Sequence, residues 1–433
     1  MISASSSNFL SGVIEGFYGP PWSHEERLRL FDLLRAHGLN TYVYAPKDDL
    51  KHRALWRELY SANEAAALGE LVRSARERGV QFRYALSPGL DLRYTDATDA
   101  AALRAKFAQL LALGCEQFAL LFDDLPERGD PVSPAAAQCT VANTLFAWLR
   151  ERCPAAQLAF CPAPYCGRMA ARGLGGAAYL ATLGRELAPA IDVFWTGPEI
   201  ISREITAAHL RELQTVLRRR PLLWDNLHAN DYDGRRFFCG PYSGRTPEIH
   251  TVARGVLLNP NCEFPLNVVP LHTLAAFLKS PGGDARAAYL AALREWWPSF
   301  AVGGAPLAWE DFVLFCDCFY LPHGDGPAAA ALFAQLRAAL DAKPAPAVHA
   351  AVVRLRDFCA GLADLRDRAL FAALHRRTWE LREELDLLER YLASPAAAVA
   401  SDFHLPDTYR GGFVPRLQRL LLPQADGSFA PPP

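Results

Sequence analysis

The residues best placed to do chemistry are Asp123 and Asp124, adjacent carboxylates that close the apolar run FALLF at 118–122. Two carboxylates at the mouth of a buried segment must be solvated, paired or functional, because unpaired buried charge is costly. Adjacent like charges push one pKa upward, which suits a general acid near neutral pH beside an ionised partner. The same dipeptide also reads as a helix N-cap, with Pro126 in the first turn. Other apolar runs end in Tyr18, Lys47, Tyr165, Trp195, Thr196, Trp224, Asn226 and Asn259, with Asp231 close by. Flat aromatic walls and directional hydrogen-bonding groups together are what a sugar ring needs. Taken singly, each aromatic is better read as barrel packing, and Lys47 beside Asp48 and Asp49 equally as a surface ion pair.

Spacing narrows the chemistry. Neighbouring Cα atoms lie about 3.8 Å apart, and side chains from one strand end approach a substrate from the same side. Carboxylates that bracket a glycosidic bond in retaining enzymes are separated by about 5–5.5 Å across it. An adjacent pair therefore favours a mechanism in which the substrate supplies its own nucleophile, as a 2-acetamido carbonyl does.

Eight short apolar runs carry these residues, at 12–19, 40–49, 80–89, 118–124, 158–165, 191–199, 221–231 and 255–261. Near-continuous apolar runs mark strands buried on both faces, as in parallel sheets. Helical patterns separate them. SHEE at 23–26 forms a capping box and Gly38 a stop, while Leu210, Leu213 and Leu217 share a helix face within 206–219. Eight βα units over about 270 residues predict a (β/α)₈ TIM barrel, whose active site lies at the C-terminal strand ends. The strand beginnings are mostly plain. No GxGxxG follows the first strand, so a dinucleotide fold lacks its signature. Beyond about residue 300 the pattern turns helical, at 310–319, 328–340, 348–365 and 370–392, which predicts an all-α helical bundle. The expected domains are a catalytic barrel over 1–300 and a helical stalk over 301–433, with AVGGAP at 301–306 as the boundary and SPGGD at 280–284 as a loop before the closing helix.

The 433 residues carry a net charge of −2, which lends no support to a nucleic-acid partner. No signal peptide or long apolar span is evident. The ten cysteines form no CxxC pair and read as reduced thiols of a cytoplasmic protein. HExxH and HxH spacings are absent, so neither a metal nor another cofactor is expected.

Several long motifs in one order identify a resemblance: GVIEGFYGPPW, NTYVYAPKDDLKHR, FALLFDD, FCPAPYC, WTGPEI, WDNLHANDYDGRRFFCGPYSGR and LLNPNCEF, resuming at 311–327 and 409–421. The chain resembles the family 84 glycoside hydrolases. That resemblance implies a barrel with a helical stalk and retaining, substrate-assisted removal of β-linked N-acetylglucosamine from Ser/Thr of proteins or peptides. It implies that Asp123 orients the acetamido group and that Asp124 is the general acid, then the base. It further implies that Gly16, Lys47, Asn226, Asp231 and Asn259 hold the sugar, and that Cys161, Tyr165, Thr196 and Trp224 shape the acetyl pocket. The animal members' long insert and acetyltransferase-like domain are missing here, which points to a bacterial form. Residues 401–410 and 413–421 keep part of the pattern of a stalk that dimerises in animal members, so a homodimer is expected. Alternatives are a β-N-acetylhexosaminidase for cell-wall or host-glycan fragments, a silent glycan-binding protein, and, disfavoured by absent histidine clusters, a metal-dependent hydrolase.

Overall fold

The computed structural model describes residues 9–125, 134–171, 176–341, 346–394, 422–423 and 429–430. Pro126 and the stretches at 401–410 and 413–421 lie outside them. The chain divides into two compact units, Met1–Pro298 with Cys316–Gly326, and Ser299–Phe315 with Pro327–Pro433.

The first unit is a closed barrel of eight parallel strands in sequential order: β1 (Leu10–Glu15), β2 (Thr41–Tyr44), β3 (Gln81–Leu86), β4 (Gln117–Leu121), β5 (Gln157–Cys161), β6 (Asp192–Trp195), β7 (Leu222–Asp225) and β8 (Gly255–Leu258). Pairing of β1 with β8, Leu10 opposite Gly255, closes the ring. Around it run α1 (His24–His37), α2 (Ala62–Glu77), α3 (Ala97–Ala112), α4 (Ala135–Arg152), α5 (Gly167–Ala171), α6 (Gly176–Glu186), α7 (Ala207–Leu217), α8 (Ile249–Val252), α9 (Val268–Lys279) and α10 (Ala285–Trp296). Local chemistry sets these boundaries. In α1 the Ser23 hydroxyl accepts from the Glu26 N–H while the Glu26 carboxylate accepts from the Ser23 N–H, and Gly38 ends the helix at φ 71°. Thr206 caps α7 and Asp284 caps α10.

Two apolar layers hold the barrel. Its interior packs Ile14, Val43, Ala85, Ala119, Ala159, Phe194 and Leu257, small residues leaving room for large ones. Between strands and helices lies a larger layer including Phe31, Leu34, Tyr42, Phe107, Leu149 and Leu217. Each such fully buried aliphatic or Phe side chain contributes about 1.5–3 kcal/mol of transfer free energy. At Gly12 (φ 155°) a Cβ would lie 1.8 Å from the Thr41 carbonyl oxygen, so only glycine lets β1 and β2 approach there.

The second unit holds the hairpin β9 (Ala301–Val302) and β10 (Ala305–Pro306), where the sequence reading expected only a boundary, then most of α11 (Trp309–Cys318) and all of α12 (Pro327–Asp341), α13 (Pro346–Gly361) and α14 (Arg368–Ala393). Phe300, Phe312, Phe315 and Phe358 form its aromatic cluster. Cys316–Gly326, which the helical pattern assigned to the stalk, rejoins the barrel. There Phe319 and Tyr320 carbonyls accept from the Cys239 and Gly240 N–H groups at 2.9 and 2.6 Å. Buried Asp317 takes both Arg286 terminal nitrogens at 2.7 and 3.1 Å.

Candidate active site

Asp123 follows β4 directly, and its side chain is buried. Lys47, just past the end of β2, is equally buried and forms an ion pair with Asp123 Oδ2. Burial alone pushes the Asp123 carboxyl up, but the Lys47 ammonium and the Arg53 guanidinium outweigh it and hold the group below the usual carboxylate range. The expected upward push therefore does not fall on Asp123: a cation from a neighbouring strand end decides its charge, which the Asp-Asp dipeptide alone does not show. Its Oδ1 atom is buried and has no hydrogen-bond partner.

Asp124 faces outward. Its φ of 50° lies in the left-handed region, which Asp tolerates better than most residues. The Tyr18 hydroxyl donates to its Oδ2 at 3.0 Å and the Tyr165 hydroxyl to its Oδ1 at 2.7 Å. Arg53 bonds its carbonyl oxygen at 3.1 Å. Among the described residues the next helix is α4, which begins after Pro134; the stretch through Pro126 that an N-cap would open lies outside them. Lys47 serves Asp123 and is no surface ion pair, whereas Asp49 accepts from Tyr44 and Tyr60 at 2.8 and 2.7 Å.

These groups face a cavity of about 790 Å³ lined by Gly16, Tyr18, Asp123, Asp124, Cys161, Tyr165, Thr196, Trp224, Asn226, Asp231 and Asn259, among others. Every site residue expected from the sequence lies on it except Lys47, which reaches it through Asp123, and Trp195, which is buried in the outer apolar layer and donates its indole N–H to His209 at 2.9 Å. A Cβ on Gly16 would sit 2.2 Å from the Trp224 ring, so glycine here makes room for the indole as well as for a ligand. Asn259 donates to the Asn226 side-chain oxygen at 3.0 Å, and Asn226 donates to the Ile200 carbonyl at 2.8 Å. Asn259 Oδ1 and Trp224 Nε1 are buried without partners. Asp231 accepts from the Tyr18 N–H at 3.0 Å, and burial raises its pKa. The Thr196 hydroxyl is engaged by the Glu199 carbonyl at 2.8 Å. Burial pushes the Cys161 thiol well up, which makes it a neutral wall and no nucleophile.

Two buried ion pairs fix the strand ends. Glu15 accepts from Arg27 at 2.7 and 2.9 Å and from the Trp22 N–H at 3.0 Å, anchoring the turn that carries Gly16 and Tyr18. Asp225, between Trp224 and Asn226, takes Arg245 through both oxygens and the Tyr242 hydroxyl at 2.6 Å. The residue types alone gave no sign of Asp225 and Arg245. The cavity also includes Arg168, Glu199, Tyr232 and His323. Arg168 pairs with Glu199 at 3.0 Å, and His323 arrives on the returning segment, far from the barrel motifs in sequence.

Comparison with known proteins agrees with this geometry. Residues 11–301 match the family model described as β-N-acetylglucosaminidase. The protein O-GlcNAcases of Rattus norvegicus and Mus musculus are each 46% identical over 278 residues, 63% of this chain. The match spans 30% of the length of those relatives. A mutant of the O-GlcNAc hydrolase of Thermobaculum terrenum superposes with a TM-score of 0.76 at 29% identity, over 89% of this chain and 84% of that one. The chain belongs to the β-N-acetylglucosaminidase family of glycoside hydrolases.

Proposed function

We propose that this protein is a retaining exo-β-N-acetylglucosaminidase that removes O-linked N-acetylglucosamine from Ser/Thr of proteins or peptides by substrate-assisted catalysis. One observation carries this reading: Asp123 is clamped by Lys47 with one buried oxygen unengaged, directly beside an Asp124 held by two tyrosine hydroxyls. The ionised Asp123 accepts the acetamido N–H and polarises the amide. The acetamido oxygen then bonds to C1 as the bond from C1 to the leaving oxygen breaks, and Asp124 delivers its proton to that oxygen. In the second step Asp124 takes a proton from water, whose oxygen bonds to C1 and opens the oxazoline with net retention. Trp224 supplies an apolar wall, and the Asn226–Asn259 pair and Asp231 supply partners for sugar hydroxyls.

A protein or peptide acceptor is supported by the names of the rat, mouse and bacterial relatives. A homodimer through the helical unit is supported by Phe333, Trp379 and Tyr391, large side chains left exposed on α12 and α14. Sedimentation velocity of the full chain tests it. A cytoplasmic setting is supported by ten free cysteines, and no described helix is long and apolar enough to cross a membrane. The deciding assay is hydrolysis of an aryl β-N-acetylglucosaminide with and without a thiazoline mimic of the oxazoline. Turnover blocked by the thiazoline is expected. Turnover insensitive to it sinks the substrate-assisted step, and absence of turnover sinks the enzyme. Faster cleavage of chitobiose than of glycopeptide would move the substrate to glycan fragments.

A further inference from the structure

We propose that the opposite end of the barrel carries a zinc site built from His37, His272 and Glu295. His37 lies in the last turn of α1, His272 on α9 and Glu295 on α10. One ligand atom from each lies within 4.8 Å of the others. His272 Nδ1 and Glu295 Oε2 are 2.7 Å apart, and the rings of His37 and His272 are 5.4 Å apart at 67°. Ligand atoms about 2.0–2.1 Å from a tetrahedral zinc ion lie about 3.3 Å from one another. Small rotations of the exposed Glu295 side chain and the half-buried imidazoles bring the triad to that spacing. Two imidazoles and a carboxylate are a borderline donor set that suits zinc over calcium or magnesium, which take oxygen ligands.

His37 and His272 line a hollow of about 600 Å³ together with Phe9, Ser11 and Asn40, beside the beginnings of β1 and β2. That hollow leaves space for a water as fourth ligand and sits at the far end of the strands from Asp123. An ion there joins the first helix of the barrel to its last two. It closes a long loop of chain and acts on folding without touching the sugar cavity. The sequence reading expected no zinc site because it sought ligands close in sequence. These three are drawn together only by closure of the ring.

The test uses the full chain stripped with EDTA and dialysed free of metal. Zinc alone is titrated while bound metal, melting temperature and aryl-glycoside turnover are followed. One equivalent should bind, with a melting temperature higher by a few degrees and unchanged turnover. His37→Asn and His272→Gln should each lose that equivalent and the thermal shift while keeping turnover. Glu295→Gln, on an exposed side chain, gives the same comparison should an imidazole variant fold poorly. Cobalt(II) should give tetrahedral ligand-field absorption without a thiolate charge-transfer band. Zinc uptake undiminished in all three variants, or a thiolate band, assigns the metal to cysteines and overturns the proposal. No uptake also overturns it, and leaves His272–Glu295 as an ordinary ion pair.

Discussion

The two ends of the barrel handle charge differently. At the C-terminal rim each deeply buried carboxylate has its cation in place: Asp123 with Lys47, Asp225 with Arg245, Glu15 with Arg27. At the opposite end Arg83 is fully buried with Asp192 no nearer than 3.9 Å, and burial draws its pKa down. Asp192 pairs more closely with Arg254, at 3.2 Å, and the histidine cluster stays half open. Breaking a buried pair strands its partner charge at several kcal/mol, so the rim resists distortion and holds its groups ready. The long Arg83–Asp192 pair of the floor lies away from the cavity that Asp123 faces. Damage to the rim should register in turnover, and in melting too where it breaks an ion pair; damage to the floor should register in melting alone.

The hardest test of that division is Asp124→Asn. Turnover of unactivated glycosides should fall about 10²–10⁴-fold, with activated aryl glycosides spared more because their leaving group needs less protonation. Steady-state kinetics on both substrates checks this, and equal losses would remove the acid role. Asp123→Asn should cost about 10²–10³-fold on every leaving group, since the polarising charge is lost whatever departs. Near-normal rates would exclude it.

Lys47→Met sharpens the electrostatic side. The folded pKa of Asp123 lies below its unfolded value, so its ionised form stabilises the protein above the ordinary carboxylate range, and that contribution is lost as pH falls through the depressed value. The acid limb of kcat/KM set by Asp123 should lie in the same low window. Without the Lys47 ammonium the burial effect dominates, so the limb should move to higher pH. An unmoved pH profile would show that Lys47 does not set this charge. Gly16→Ala should raise KM about tenfold by displacing Trp224, roughly the effect of 1.4 kcal/mol, with little change in the acid limb. EDTA should leave turnover unchanged, and activity lost and restored by zinc would erase the distinction between rim and floor.

What the sequence made legible follows the same line. The barrel strands are buried on both faces, so they stand out as apolar runs, and the cavity residues stand at the ends of those runs. Asp123, Tyr165, Trp224 and Asn259 therefore group together from the sequence alone. Interactions between distant segments were not legible. The charge of Asp123 depends on Lys47, one strand end against another. The Asp225–Arg245 pair and the His37–His272–Glu295 cluster each join parts of the chain that nothing local connects. The hairpin at 301–306 escaped notice because two-residue strands have no periodicity to read.

The return of Cys316–Gly326 to the barrel bears on the timing of synthesis. A ribosome making this chain has extruded all eight strands well before Asp317, Phe319 and His323 emerge. Until they do, Arg286 lacks its carboxylate and the Cys239 and Gly240 amides lack their acceptors. At about 5–20 residues per second the nascent barrel waits on the order of seconds for this last piece. Stalling or cleavage near residue 300 would thus release a ring of strands without its final strap, a species for chaperones to hold and no finished catalyst.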